Sequence, residues 1–306
     1  MRNFLSVADL SRDDLRRVLD RALQLKEETK RGRWRTELVG KTVALLFQKP
    51  SLRTRVSFEQ GVRQLGGHAL YLSPAEVGLG ERESVPDVAR VLSRYVDGIV
   101  LRANRHSDVE MLARYSSVPV VNALSDLTHP CQALADLLTV REKKSRLDGL
   151  VMTYVGDGNN VAHSVILASA KSGMHLRIAC PAGFEPLTAI VESAAPDREV
   201  TGATLSIMRS PVDAAMDADI LYTDVWTSMG QETESEGRRR AFDGYRIDAQ
   251  LLSLAKPDAI VMHDLPAHRG EEITDEVIDG PQSVVFDQAE NRLHAQKGLL
   301  SVIFGG

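Results

Sequence analysis

The chain has 306 residues, with 43% hydrophobic and 26% charged residues, values that exclude wholesale disorder. Its formal net charge of −5 lacks the basic footprint of a non-specific nucleic-acid binder, yet leaves room for a local basic pocket for a small anion. At roughly 100–200 residues per domain, the length suggests two domains, each able to bury its own core.

The first segment reads as a helix. Ser11-Arg12-Asp13-Asp14 is an N-terminal signature, and Leu15, Val18, Leu19, Ala22 and Leu25 recur at helical spacing. Residues 26–35 form a charged connection. Short apolar runs at 43–47, 69–72, 98–102 and 118–123 predict strands, with helical periodicity between them. Strand–helix alternation implies parallel pairing with crossover helices. Residues 129–144 read as one helix, opened by Pro130 and carrying Leu134, Leu137 and Leu138. Five more strands follow at 151–156, 176–179, 203–208, 220–223 and 259–263, with helices near 161–172, 187–195 and 211–217. The polar stretch 232–240 is expected to be a mobile loop, and a last helix covers 288–303. The fold class is α/β: two doubly wound parallel-sheet domains, 1–146 and 147–287, joined by interdomain helices, with 288–303 as a closing helix.

The N-terminus soon reaches charges at Asp9, Arg12, Asp13 and Asp14, unlike a signal peptide, and no run of about 18 apolar residues predicts a membrane span. Cys131 and Cys180 lie in no Cys-x-x-Cys pair, so no zinc or disulfide framework is visible. Both read as core thiols, and a reducing cytoplasm is the expected compartment.

Five segments follow strand ends, where open α/β sheets bind ligands. Ser51-Leu52-Arg53-Thr54-Arg55 opens a helix, gathering hydroxyls, free N–H groups and two arginines where the helix dipole favours an anion. His129-Pro130-Cys131-Gln132 places a histidine at a sheet edge. Gly156-Asp157-Gly158-Asn159-Asn160 is a tight turn exposing an Asn side chain; Val161 breaks the dinucleotide fingerprint. Asp224-Val225-Trp226-Thr227-Ser228-Met229-Gly230 offers a carboxylate for an ammonium group and a segment that could close as a lid. In His263-Asp264-Leu265-Pro266, His263 is open to two readings, a cleft residue or a satisfied core histidine. His68, His106, His163 and His175 read as structural or surface residues.

Four of these segments together resemble the signature set of the ornithine carbamoyltransferases: Ser51–Arg55, His129–Gln132, Asp224–Gly230 and His263–Pro266. The first two patterns are shared with aspartate carbamoyltransferases and specify carbamoyl phosphate only. The Ser228-Met229-Gly230 segment points to ornithine. The resemblance implies a carbamoyl phosphate-binding domain followed by an ornithine-binding domain, with helix 288–303 packing back on the first, and transfer of a carbamoyl group to the δ-amine of L-ornithine, giving L-citrulline and phosphate. No cofactor and no metal are implied. The expected partners are the two substrates and copies of the chain itself, as a homotrimer or a multiple of trimers with active sites between subunits. By the same resemblance, Ser51, Leu52, Arg53 and Thr54 would hold the phosphate, and Arg102, His129 and Gln132 the carbamoyl group and its bridging oxygen. Arg292 would reach carbamoyl phosphate from the last helix, and Leu265 would offer its backbone carbonyl. Asn160, Asp224, Ser228 and Met229 would bind ornithine. Arg102, His129 and Asp264 would carry the catalysis.

Two positions depart from the family pattern. Asp264 stands where most relatives have Cys, near the attacking amine. It could hold that amine, or raise its pKa and deplete the neutral nucleophile. Gly78 stands where many relatives have Gln or His reaching into a neighbouring subunit's site; Arg82 is the candidate to take over. The added carboxylate keeps two alternatives open: another amine acceptor, such as putrescine or an N-acylated ornithine, and a catalytically impaired homologue. A nicotinamide dehydrogenase is a third reading, opposed by the broken fingerprint.

Overall fold

The computed structural model describes residues 2–33, 35–227 and 235–305. Two compact units emerge, Met1–Leu138 with Glu290–Gly306, and Thr139–Ala289. The expected boundary at 146/147 lies past the end of a helix that this division cuts. In chain order the elements up to that helix are α1 (Arg12–Lys30), β1 (Thr42–Phe47), α2 (Leu52–Gln64), β2 (His68–Leu72), α3 (Pro74–Val77), α4 (Val85–Leu92), β3 (Gly98–Arg102), α5 (His106–Tyr115), β4 (Val120–Leu124) and α6 (Pro130–Lys144). The remainder are β5 (Val151–Val155), α7 (Asn160–Ser172), β6 (His175–Ala179), α8 (Thr188–Ser193), α9 (Ala195–Thr201), β7 (Leu205–Met208), α10 (Pro211–Ala215), β8 (Ile220–Thr223), α11 (Ser235–Ala241), α12 (Ala249–Leu252), β9 (Ile260–His263), α13 (Asp275–Ile278) and α14 (Val285–Phe304).

The first unit holds a parallel sheet in the order β2-β1-β3-β4. β3 is buried at every residue and β1 at every residue but Thr42, as befits inner strands of a parallel sheet covered on both faces. Edge strand β2 alternates between exposed and half-buried positions. The apolar stripe expected on the first helix is buried in α1 at Leu15, Val18, Leu19, Ala22 and Leu25. Against that stripe α14 approaches closely: a Cβ on Gly298 would stand 2.5 Å from the Val18 carbonyl oxygen, so only glycine fits. Lys297 is buried one residue away and donates to Thr29 Oγ1 at 2.6 Å and Gln64 Oε1 at 2.8 Å, tying α14 to α1 and α2.

The second unit holds a five-stranded parallel sheet, β7-β6-β5-β8-β9. Its core runs from Val155 and Ala179 through Leu221 and Val261 to Ile273 and Val277. Residues 235–240 correct one expectation: they lie in helix α11, not in a loop. Charge masked that helix in the sequence, because its buried anchor is an arginine, Arg238. Among the described residues, no helix is long and apolar enough to cross a membrane.

Candidate active site

Each sheet has one place where chain order reverses; Ser51–Arg55, Gly156–Asn160 and Asp224 follow strands that flank it, while the His129 and His263 segments follow the edge strands β4 and β9. In the first unit the reversal lies between β1 and β3, whose ends pair Phe47 with Arg102. In the second it lies between β5 and β8, pairing Val155 with Thr223. Ligands bind beyond the carboxyl ends of strands at such points.

The first half-site is cationic. Ser51 caps α2, its Oγ accepting the Thr54 N–H at 3.3 Å and lying 3.1 Å from Thr54 Oγ1. Arg292, from α14, donates to Thr54 Oγ1 at 3.3 Å and to Gln132 Oε1 at 2.7 Å. Gln132 in turn donates to Asp136 Oδ1 at 2.8 Å, which fixes its amide with the oxygen toward Arg292. Thr54, Arg102, His129, Gln132 and Arg292 are all buried. Burial holds the His129 pKa well below its ordinary 6.5, helped by Arg292, Arg102, Lys49 and Arg53. His129 is therefore a neutral imidazole among cations. Burial, and then Arg102, also lowers the Lys49 pKa. A cluster of this kind is relieved by an anion.

Ser51, Arg53, Thr54, Arg102, His129, Gln132 and Arg292 thus gather in one unit. Leu52 is exposed, so only its backbone could serve a ligand. Arg55 leaves the group expected of the motif: its guanidinium lies 3.8 Å from the Tyr71 ring centre and pairs with Glu59 at 2.9 Å. Lys49 joins instead. Its position just after β1 was legible in the sequence; its half-buried place beside Arg102 was not.

The second half-site is anionic. Asp224 is buried beyond β8, accepting the Asn159 amide at 2.8 Å and its neighbour's N–H, Val225, at 2.7 Å. Asn159, not Asn160, makes that bond. It also caps α7, accepting from the Val161 and Ala162 N–H groups. Asn160 is the first residue of α7 and half-buried. Asparagine just before a helix is a capping signal, and it could have singled out Asn159. Gly158 allows the turn: a Cβ there would stand 2.2 Å from the Pro186 nitrogen. Ser228 and Met229, expected to bind ornithine, lie outside the described residues.

His263 proves to be a satisfied core histidine, fully buried at the end of β9. Its Nδ1 accepts the Leu265 N–H at 2.9 Å, and its Nε2 lies 2.9 Å from Glu272 Oε1. One ligand atom from each of Asp224, His263 and Asp264 lies within 4.8 Å of the others, spacing that could suit a metal. The Nδ1 lone pair is already engaged by Leu265, which leaves two carboxylates rather than a ligand triad. In the other such group, His268 with Glu271 and Glu272, Arg239 holds Glu271 at 2.7 Å and His263 meets Glu272. Gly78 ends α3 at φ 59°, where a Cβ would stand 2.9 Å from that of Arg82. Glycine suits that left-handed position, and Arg82 itself is exposed beside Glu83.

The first unit thus carries a cationic cluster suited to an anion, and the second, by itself, a carboxylate pair suited to an amine. The family models agree. One described as "Aspartate/ornithine carbamoyltransferase, carbamoyl-P binding domain" matches residues 2–142, and one described as "Aspartate/ornithine carbamoyltransferase, Asp/Orn binding domain" matches residues 148–303. An ornithine carbamoyltransferase of Acidothermus cellulolyticus is 55% identical, covering 99% of this chain and 96% of the relative. That of Thermococcus kodakarensis is 52% identical, covering 100% and 97%. The solved ornithine carbamoyltransferase from Pyrococcus furiosus superposes with a TM-score of 0.97 at 50% identity, covering 100% of this chain and 97% of that one. The chain belongs to the aspartate/ornithine carbamoyltransferase family.

Proposed function

We propose that the chain transfers the carbamoyl group of carbamoyl phosphate to the δ-amine of L-ornithine, releasing L-citrulline and phosphate. The observation that carries this reading is the neutral, buried His129 among Lys49, Arg53, Arg102 and Arg292, a site made for a phosphorylated anion. The acceptor follows from Asp224 and Asp264 in the second unit and from whole-chain relatives that bear the name ornithine carbamoyltransferase.

The amine nitrogen attacks the carbamoyl carbon, the bond from that carbon to the bridging oxygen breaks with its electron pair leaving on the phosphate, and the departing phosphate takes the proton the amine loses. Arg102, His129 and Thr54 stabilise the oxyanion formed on the way, and each such donor is worth about 10²–10³ in rate. Ser51, Leu52, Arg53 and Thr54 hold the phosphate, Gln132 and Arg292 the carbamoyl end, and Leu265 offers its carbonyl. Asp224 pairs with the α-ammonium, and Asn160, Ser228 and Met229 complete the acceptor's contacts. Asp264 adds a second negative charge, which favours a doubly aminated acceptor over an anionic one. Residues 1–146 with the last helix form the carbamoyl phosphate domain and 147–287 the ornithine domain of a cytoplasmic homotrimer.

The test is product formation from carbamoyl phosphate with L-ornithine, putrescine, N-acetylornithine and L-aspartate offered in parallel. Citrulline formed fastest is the expected result; preference for another acceptor reassigns the substrate, with Asp264 as the first suspect. Arg53→Ala is expected to abolish saturation by carbamoyl phosphate, and Asp224→Ala to raise the KM for ornithine about a hundredfold, as loss of a buried charge partner implies. Unchanged ornithine saturation in Asp224→Ala would refute the ammonium assignment.

A further inference from the structure

We propose that Glu272 is a positioning residue of the acceptor half-site, acting through His263 to hold the Asp264–Leu265 turn in its working conformation. The proposal rests on the assignment of this half-site to the amine acceptor, and goes beyond it by naming a residue that touches neither substrate.

The argument begins with a proton. An imidazole nitrogen that accepts an N–H bond carries no hydrogen. His263 Nδ1 accepts the Leu265 N–H at 2.9 Å, so the ring is neutral and its proton sits on Nε2. That proton points at Glu272 Oε1, 2.9 Å away. The close approach of Asp264 Oδ1 to His263 Nδ1, 3.7 Å, is then not an ion pair, since neither atom carries a proton for the other. Glu272 and His263 are both 0% exposed, so water cannot substitute for either partner. Glu272 is itself fixed: Oε1 also accepts the His268 N–H at 2.6 Å, and its backbone carbonyl accepts the Ile247 N–H at 2.9 Å.

The turn needs this support. Leu265 sits at φ 60°, left-handed backbone that a non-glycine residue adopts only at a cost. Such a conformation persists only where its surroundings over-determine it. The Leu265 N–H bond to Nδ1 is one determinant, and Glu272 decides which nitrogen is free to make it. Without an acceptor at Nε2, the imidazole proton has no reason to stay there. Moved to Nδ1, it would face the Leu265 N–H donor to donor. Both the Leu265 carbonyl and the Asp264 carboxylate ride on that turn.

The experiment compares Glu272→Gln with Glu272→Met in the full chain. Glutamine keeps an oxygen for Nε2–H; methionine matches the volume and accepts nothing useful. Nitrogen-15 NMR of histidine-labelled protein reads the tautomer, with His263 assigned by its loss in His263→Asn. The expected result is an Nε2–H tautomer in the parent and in Glu272→Gln, with near-parental kcat in the latter. Glu272→Met is expected to move the proton to Nδ1 and lower kcat about tenfold to a hundredfold, the scale set by misplacing a reacting group by an ångström. Affinity for carbamoyl phosphate should be unchanged. A tautomer and kcat unmoved by Glu272→Met would overturn the proposal, as would a hundredfold loss in Glu272→Gln with the tautomer retained. Should Glu272→Met fail to fold, Glu272→Ala replaces it with the same two readouts and the same expected and overturning results. If the parent does not use ornithine, the functional reading fails, while the tautomer measurement still judges the dyad.

Discussion

His129 shows how one residue records the charge of everything around it. Burial and four cationic neighbours hold its pKa well below 6.5. In the unfolded chain it takes up a proton as the pH falls through about 6.5, while the folded protein refuses it. Stability contributed here is therefore complete above that pH and lost progressively below it. A bound phosphate cancels part of the surrounding charge and raises the folded pKa. Thermal unfolding between about pH 5 and 7.5 should show Tm falling on the acid side, with a shallower fall when inorganic phosphate is present. An identical slope with and without phosphate would contradict the neutral-imidazole assignment. The two thiols behave as expected of core cysteines, burial pushing Cys131 up to about 12 and Cys180 to about 11. At this scale the sequence was most legible where a residue works at its own element's end: Ser51, Arg102 and His129 each close or open an element. Lys49, Asn159 and Glu272 received no individual role from the sequence because their roles depend on partners 53, 65 and 9 positions away along the chain. No local pattern encodes such a partner.

The strands were readable because apolar runs between helical periodicities have few other uses, and all nine appear within two residues of their expected ends. The four-residue helices α3, α12 and α13 were not, since one turn carries no period. Helix α11 failed for a different reason. Its anchor, Arg238, is buried, donating to the Trp226 carbonyl at 2.6 Å and pairing with Asp157, with its guanidinium 4.9 Å from the Phe184 ring centre. A buried arginine reads as solvent-facing charge in a periodicity analysis. It links Trp226, just beyond β8, to the turn that carries Asn159. Arg238→Met should cost about 3 kcal/mol, the loss expected when a buried carboxylate is stripped of its guanidinium. The double variant Asp157→Asn/Arg238→Met should recover much of it. Urea unfolding of the three proteins measures both, and a single variant as stable as the parent would show the pair to be idle.

At the scale of the molecule, α/β class and two-unit organisation followed from strand–helix alternation restarting near residue 150. The chain passes from one compact unit to the other inside α6, eight residues before the expected boundary, and nothing in the periodicity of Pro130–Lys144 marks Leu138 as the last residue of one unit. The second unit is one continuous stretch, Thr139–Ala289, whereas the first is made from both sides of it. Residues 139–289 expressed alone should therefore unfold cooperatively. Residues 1–138 alone should show no phosphate-dependent rise in Tm, because Arg292 and Lys297 are missing. Phosphate stabilisation of that shorter fragment would show that α14 is dispensable to the anion pocket.

The placement of Arg292 also sets an order of events on the ribosome. Ser51, Thr54 and Gln132 emerge first, yet the guanidinium that bonds Thr54 and Gln132 is made about 160 residues after Gln132. At synthesis rates of about 5–20 residues per second, the nascent chain carries an unfinished pocket for some ten seconds or more. Over that interval the ribosome makes the entire second unit, Thr139–Ala289, whose last residue precedes Arg292 by three. A growing chain thus acquires its capacity to hold the anion only as its last helix is delivered.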